Sequence, residues 1–301
     1  SVREKLDKLC VIGGCHMDTT SRIIESLVRH GRTNRAKSSI LPGGVAANIA
    51  RAVRCHRANL KIIFIGAAAT GSSDVAPTLR DIDIDVAFAQ LDGSPPSYNA
   101  ILDQDGELII GVADMALYDT VTPTDIIPLL PKHPQAVIVD VNFPAETLAT
   151  IAARLSDDCR LYATGTSVQK VHRLVPLMDR LDALALNRAE ACELAGKVGA
   201  VDKLATILSA SLRPDAPVLV SDGAKPAALA ARGEVVSSAP PKITLANENG
   251  AGDAMAAAFF CLCLDRAMGP PNTALTSAEI LEDMLAGALA AGANFAAGNV
   301  I

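Results

Sequence analysis

The feature that most narrows the folds open to this chain is a series of short apolar runs that do not alternate with polar residues. They are "LCVIGG" from residue 9, "KIIFIGAA" from 61, "AVIVDVN" from 136, "RLYATG" from 160, "ALALN" from 183 and "VLVSDG" from 218. A strand with one wet face alternates, whereas a continuous run marks a strand covered on both faces, the condition of parallel sheets layered with helices. Between the runs lie patterns with apolar residues at three and four spacing: "PAETLATIAARL" (144–155), "SVQKVHRLVPLMD" (167–179), "NRAEACELAG" (187–196) and "DKLATILSASL" (202–212). Strand and helix in alternation imply a parallel sheet with crossover helices, whose ligands collect at the carboxyl ends of the strands. Apolar residues make up 50% of the chain but aromatics only 3%, so the core must be built from Ala, Val, Ile and Leu.

Two segments break the rhythm. "SYNAILDQDGELIIGVADM" (97–115) has two β-type runs around "DQDG" and predicts an antiparallel hairpin. The polar, basic stretch 17–40 contains "RHGRTNRAKSS" and shows no crossover helix. Together they predict a small sheet beside the main one, serving as a lid or an oligomer surface. No repeat or Pro-rich linker divides the chain, so residues 1–301 are expected to form one domain, with lid strands inserted from about 15–42 and 88–114.

Several classes of function are disfavoured. A net charge of −6 supplies no clustered cations for a nucleic-acid backbone. The seven cysteines (10, 15, 55, 159, 192, 261 and 263) include no CxxC pair and read as reduced core residues. The longest apolar stretch, Ala254 to Leu264, falls short of the roughly 20 residues that cross a bilayer, and "SVREKLDKLCVIGG" fits a first strand better than a leader. A soluble cytoplasmic protein is expected, with no membrane partner. No P-loop, no GxGxxG after the first strand and no protein-kinase signature occurs.

Five places could carry chemistry. In "NENGAGDAMAAAFF", Gly250, Ala251, Gly252 and Asp253 open an Ala-rich helix. Bare N–H groups at a positive helix end suit a phosphoryl group, and the same residues also suit a tight turn with a dipole-complementing acid. In "LPGGVAANIARAV", Gly43 and Gly44 precede a helix carrying Asn48, which fits a sugar's hydroxyls or a plain packed turn. Asp18 could grip two adjacent hydroxyls or cap an element, while His16 has no partner suggested by its spacing. Asn187 and Glu190 are three apart at a strand-to-helix passage, as in a capping box or an amide and carboxylate that orient water around phosphate-bound magnesium. Ser221 and Gly223, at the end of "VLVSDG", leave room for a flat nucleotide.

Taken in order, "GGVAAN", "NRAE", "SDGA" and "GAGD" resemble the signatures of the ribokinase family of sugar and nucleoside kinases, and the resemblance spans nearly the whole chain. It implies a ribokinase-like α/β fold: a mostly parallel central sheet flanked by helices, with a small β-sheet lid. It also implies ATP and Mg2+, with a monovalent cation such as K+ as a further option, and γ-phosphoryl transfer to a primary hydroxyl. Asp253 is then the catalytic base, and Gly250, Ala251 and Gly252 form the anion hole. Asp18, Gly43, Gly44, Asn48 and Tyr98 face a nucleoside or sugar. Asn187, Ser221, Gly223 and Asn249 face the nucleotide, and Glu190 reaches the metal through water.

Within the family, "GGVAANIA", the lid hairpin and "TGTSVQKVHRL" are most similar to pseudouridine kinases, which implies phosphorylation of a C-nucleoside at its 5′-hydroxyl. Tyr98 would cover the base or merely pack the hairpin. Other acceptors (fructose, ribose, 2-keto-3-deoxygluconate, adenosine) and a non-catalytic sensor that keeps the fold are the alternatives. Asn247, Glu248 and Asn249 stand where the family has an Asp and two Thr, and "GAAATGSSDVAP" (66–77) keeps only Asp74 of an acidic stretch. A homodimer through the lid edge is allowed for.

Overall fold

Leu9 and Val11 face one layer of helices and Cys10 and Ile12 the other, all four sealed from solvent, which is why their run shows no polar alternation. The computed structural model describes residues 8–72, 75–243, 250–267 and 278–298. Asp74, Asn247, Glu248 and Asn249 lie outside the described residues.

From the first strand, β1 (Lys8–Ile12), the chain makes an antiparallel pair, β2 (His16–Ile23) and β3 (Ala36–Gly43), before α1 (Val45–His56). β4 (Lys61–Ala69), the short α2 (Ala76–Arg80) and β5 (Ile84–Leu91) follow. Next come the hairpin β6 (Ser97–Leu102) and β7 (Leu108–Asp114) and the single turns α3 (Ala116–Asp119) and α4 (Pro123–Ile126). β8 (Ala136–Val139), α5 (Ala145–Arg154) and β9 (Arg160–Thr164) lead to a 3-10 helix, Val171–Arg180. β10 (Ala183–Asn187), α6 (Arg188–Ala195), α7 (Val201–Ser209) and β11 (Val218–Asp222) continue the sheet. The chain then adds β12 (Lys225–Ala231), β13 (Glu234–Ser238), α8 (Ala251–Ala267) and α9 (Ala278–Ala296).

Nine strands form one sheet in the order β13-β12-β11-β10-β9-β8-β1-β4-β5, parallel from β11 to β5 and antiparallel at the β12 and β13 edge. The expected mostly parallel sheet is therefore present. A second sheet, β3-β2-β6-β7, is the expected lid. α8 is buried continuously from Ala254 to Cys261, and Phe260 stacks on Tyr162 of β9 at a centroid distance of 5.4 Å. A helix apolar all round belongs inside, and here it lies among α1, α9 and the sheet.

The structure departs from the sequence reading in four places. The stretch 167–179 contains no α-helix: residues 171–180 wind as 3-10, because Pro176 offers no N–H and its ring crowds the carbonyl one turn back. β5 belongs to the large sheet, so the second lid segment begins at Ser97 and not near 88. β12 and β13 extend the sheet past the last apolar run read as a strand. Cys55 is exposed, on the outer side of α1 near its end; the other six cysteines are buried or half-buried, and all seven are free thiols.

Gly44 joins the lid to α1 with φ +94°, and a Cβ there would collide with the carbonyl of Gly14. Gly44→Ala is therefore expected to lower stability by about 3 kcal/mol from left-handed strain plus overpacking, read as a lower urea midpoint. An unchanged midpoint would show that this junction relaxes freely.

Candidate active site

Asp140, one residue past the end of β8, is 1% exposed and accepts four hydrogen bonds. Its Oδ2 takes the Gly14 N–H (2.9 Å), the Ala46 N–H (3.1 Å) and the Asn142 amide (2.8 Å), and its Oδ1 takes the Asn142 N–H (2.9 Å). Burial pushes this carboxyl upward and the four donors oppose that push. Side chains at Gly13 or Gly14 would overlap Asp140 or Asn142, so the paired glycines are what let the carboxylate reach the main chain. The end of β1 and the start of α1 are thereby tied together.

On the lid, Asp18 and Tyr98 are register partners on β2 and β6 and share one face. A Cβ at Gly43 would strike the Asp18 carboxylate. His16, two residues before Asp18 on the same strand, has its Nε2 3.2 Å from Asp18 Oδ1. Its Nδ1 lies 3.0 Å from the Tyr118 hydroxyl, which donates to the Cys15 carbonyl (3.0 Å) and accepts the Cys15 N–H (2.9 Å). His16 thus has partners that its spacing did not suggest; the overlooked signal is the i, i+2 relation, which puts two side chains on one face once the segment is a strand. Tyr98 lies over Gly111, where any side chain would meet its phenol ring.

Asn48, on the first turn of α1, donates from Nδ2 to Asp253 Oδ2 at 2.8 Å. Its Oδ1 accepts from Arg51 Nη1 at 3.0 Å, and Arg51 Nη2 donates to Thr78 Oγ1 at 3.1 Å. A guanidinium has donors only, so the amide oxygen must face Arg51 and the nitrogen must face Asp253.

The first helical bond opening α8 runs from the Ala254 N–H to the Gly250 carbonyl (2.9 Å), which leaves the N–H groups of Ala251, Gly252 and Asp253 without helical acceptors. Gly250 has φ +96°, and the position of a Cβ on Gly252 is open space. Burial raises the Asp253 carboxyl to about 7; the Asn48 hydrogen bond opposes the rise, and Asp140, Glu190 and Asp18 add to it. Asp253 and Gly252 help line a cleft of about 170 Å³ whose walls include Thr166, Asn187, Glu190 and Ser221.

Asn187 and Glu190 do form a capping box: Asn187 Oδ1 accepts the Glu190 N–H (2.9 Å) and Glu190 Oε2 accepts the Asn187 N–H (3.0 Å). The cap also sets the Glu190 carboxylate, 5% exposed and raised by burial, into the cleft wall beside Gly165, which could carry no side chain there. Gly223 starts the turn between β11 and β12 with φ +59° and is not part of the cleft lining. Asn249 lies outside the described residues. Among the described residues no group of three or more His, Cys, Asp or Glu side chains could cage a metal.

The sequence reading missed Asp140, Asn142, Arg51, Tyr118 and Thr166. For Asp140 the available signal was an acid interrupting "AVIVDVN" at a strand's carboxyl end, where a buried charge needs a reason.

The model of the pfkB family carbohydrate kinases matches residues 6–293. A pseudouridine kinase of Escherichia coli (strain K12) is 26% identical over 278 residues, 88% of this chain and 86% of that protein. A carbohydrate kinase from Agrobacterium tumefaciens superposes with a TM-score of 0.77 at 27% identity, covering 98% of this chain and 94% of its own. A ribokinase from Giardia lamblia superposes at 0.80 with 17% identity over 97% of this chain and 94% of its own, a likeness of fold alone. No helix among the described residues is long and apolar enough to cross a membrane.

Because the folded-state value of Asp253 is raised to about 7, its neutral form favours folding at low pH, and that contribution is lost as pH rises from about 4 through 7. Asp253→Asn is expected to match the wild type in stability near pH 4 and to exceed it by a few kcal/mol at pH 8, measured by urea unfolding. Equal stabilities at pH 8 would show that the carboxylate carries no burial cost.

Proposed function

Because this chain belongs to the pfkB family of carbohydrate kinases, and is thereby a phosphotransferase with an alcohol acceptor, we propose that it transfers the γ-phosphoryl group of ATP to the 5′-hydroxyl of a nucleoside, pseudouridine foremost. The observation that carries this reading is the position of Asp253, hydrogen-bonded to Asn48 on one side and lining the Asn187–Ser221 cleft on the other.

In this reading the Asp18 carboxylate grips adjacent sugar hydroxyls, the backbone opened by Gly43 and Gly44 and the Asn48 amide complete the grip, and Tyr98 covers the base. Asn187 and Ser221, register partners on β10 and β11, border the nucleotide, with Gly223 at the turn beyond them; Asn249, the fourth residue of this set, lies outside the described residues. The acceptor oxygen bonds to the γ-phosphorus as the bridging bond to ADP breaks, and the proton passes to Asp253. A carboxylate is far too weak to remove that proton beforehand, so it leaves as the phosphoryl arrives. Positioning and the N–H groups of Gly250, Ala251 and Gly252 supply the larger share of the acceleration.

The site fits magnesium carried by phosphates and water: the buried Glu190 carboxylate, raised by desolvation, is the charge a hydrated cation would relieve. When bound, the ion neutralises phosphate charge.

The lid face turned away from Asp18 and Tyr98 carries Ile40 (63% exposed), Ile101, Ile110 and Val112, and a second copy of the chain laid against it would cover this apolar strip. Light scattering is expected to report a dimer that Ile110→Lys converts to monomer; a monomeric wild type removes this part of the reading.

In a coupled ADP-release assay over nucleosides and sugars, pseudouridine is expected to give the highest kcat/KM. The acid limb of kcat is expected near pH 7, where Asp253 loses its proton. Asp253→Ala should lose about a thousandfold or more in kcat with folding intact. Wild-type turnover in that variant ends the assignment of the base, and faster ADP release with fructose, ribose, 2-keto-3-deoxygluconate or adenosine moves the acceptor.

A further inference from the structure

The strand order places β9 between the two halves of the site. β1 and β8 lie on the side of Asp140, Asn48 and the lid, β10 ends in Asn187, β11 carries Ser221 one residue before its end, and β9 separates β8 from β10. The chain leaves β9 as Thr164, Gly165 and Thr166, and all three line the cleft that also holds Gly252 and Asp253.

Thr166 is the member of this trio whose chemistry is unspent. Its Oγ1 is buried from solvent and has no hydrogen-bond partner, whereas the Thr164 hydroxyl reaches the Gly165 carbonyl at 3.5 Å. A buried hydroxyl without a partner costs free energy, and such groups in folded proteins call for an explanation. Its backbone neighbours are held. The Gly165 N–H bonds to the Ala185 carbonyl (3.3 Å), and the Ser167 carbonyl accepts from the N–H groups of Lys170 (3.2 Å) and Val171 (3.1 Å). Thr166 therefore stands on a held segment in the wall of the cleft, and its hydroxyl is an unspent donor there.

We propose that the Thr166 hydroxyl donates a hydrogen bond to an oxygen of the γ-phosphoryl group of ATP, making it a further substrate-binding residue of the transfer. The assignment rests on the kinase reading above. The γ group is chosen over the α and β groups because β9 is the strand nearest the acceptor half among those that frame the nucleotide. A donor on a rigid loop suits an anionic oxygen, and the cleft's own acids, Glu190 and Asp253, leave a phosphate in need of donors.

The test compares binding of ATP and ADP, each with magnesium, by calorimetry on the full chain. Thr166→Val keeps the shape and removes the hydroxyl, Thr166→Ala removes it in a second way, and Thr166→Ser retains it. Both hydroxyl-free variants are expected to bind ATP about tenfold more weakly, the worth of one hydrogen bond to a charged group, with ADP affinity within about twofold of wild type. Thr166→Ser should restore the ATP preference. A merely structural role would weaken both nucleotides together or neither. An unchanged ratio of ATP to ADP affinity in the hydroxyl-free variants, beside a wild type that binds ATP and releases ADP, overturns this assignment alone. A wild type that binds neither nucleotide overturns the kinase reading and this assignment with it.

Discussion

The carboxylate of Asp140, taking N–H groups from Gly14 and Ala46 at 2.9 and 3.1 Å, is the contact on which the site's geometry depends. Between these two donors the chain leaves the large sheet, runs out along β2, returns along β3 and enters α1. One buried acid thus closes the base of a long excursion and fixes the angle at which the helix starts. Everything that α1 carries inherits that angle, including the amide of Asn48 and its 2.8 Å bond to Asp253. The negative charge sits where a helix dipole favours it, which offsets part of its desolvation.

The site gathers acids that burial and mutual repulsion disfavour. Asp140, Glu190 and Asp18 all raise the Asp253 carboxyl, and the loss of water around it raises it more. Asp140 is answered by four donors and Glu190 by a main-chain N–H, while Asp253 has one amide. Asp253, with one donor against the four of Asp140, is also the acid at the opening of α8. On the proposed reading Asp253 does the chemistry, and stability given up at such a residue is the usual pattern of active sites, where local rules of folding yield to function.

Much of the large sheet was legible because two-sided burial leaves a direct trace: each of the six continuous apolar runs is a parallel strand, β1, β4, β8, β9, β10 or β11. β12 was hidden because "KPAALAA" is built from alanine, which is poor in strands and reads as helix. In residues 171–180 the apolar period is helical, yet one proline changes the kind of helix, a backbone effect that periodicity does not register. The site was legible in pieces. Asp253, Asn48 and Asp18 could be named because glycines flagged the neighbouring backbone. The bond between Asn48 and Asp253 joins residues 205 apart, and no local pattern announces such a pairing. Asp140 was passed over as part of a strand, and nothing in the local pattern set Arg51 apart.

The order of strands has a consequence of its own. The two halves of the cleft are separated by the strands β8, β9 and β10, two inter-strand steps or about 10 Å of hydrogen-bonded sheet. That spacing is a ruler made of backbone, which no side-chain replacement can lengthen or shorten. The lid, by contrast, hangs from the sheet by two separate excursions and can be rebuilt residue by residue. On the proposed reading the acceptor is gripped at the lid, so replacements there would change the small molecule accepted while the path length of the transferred group stays the same.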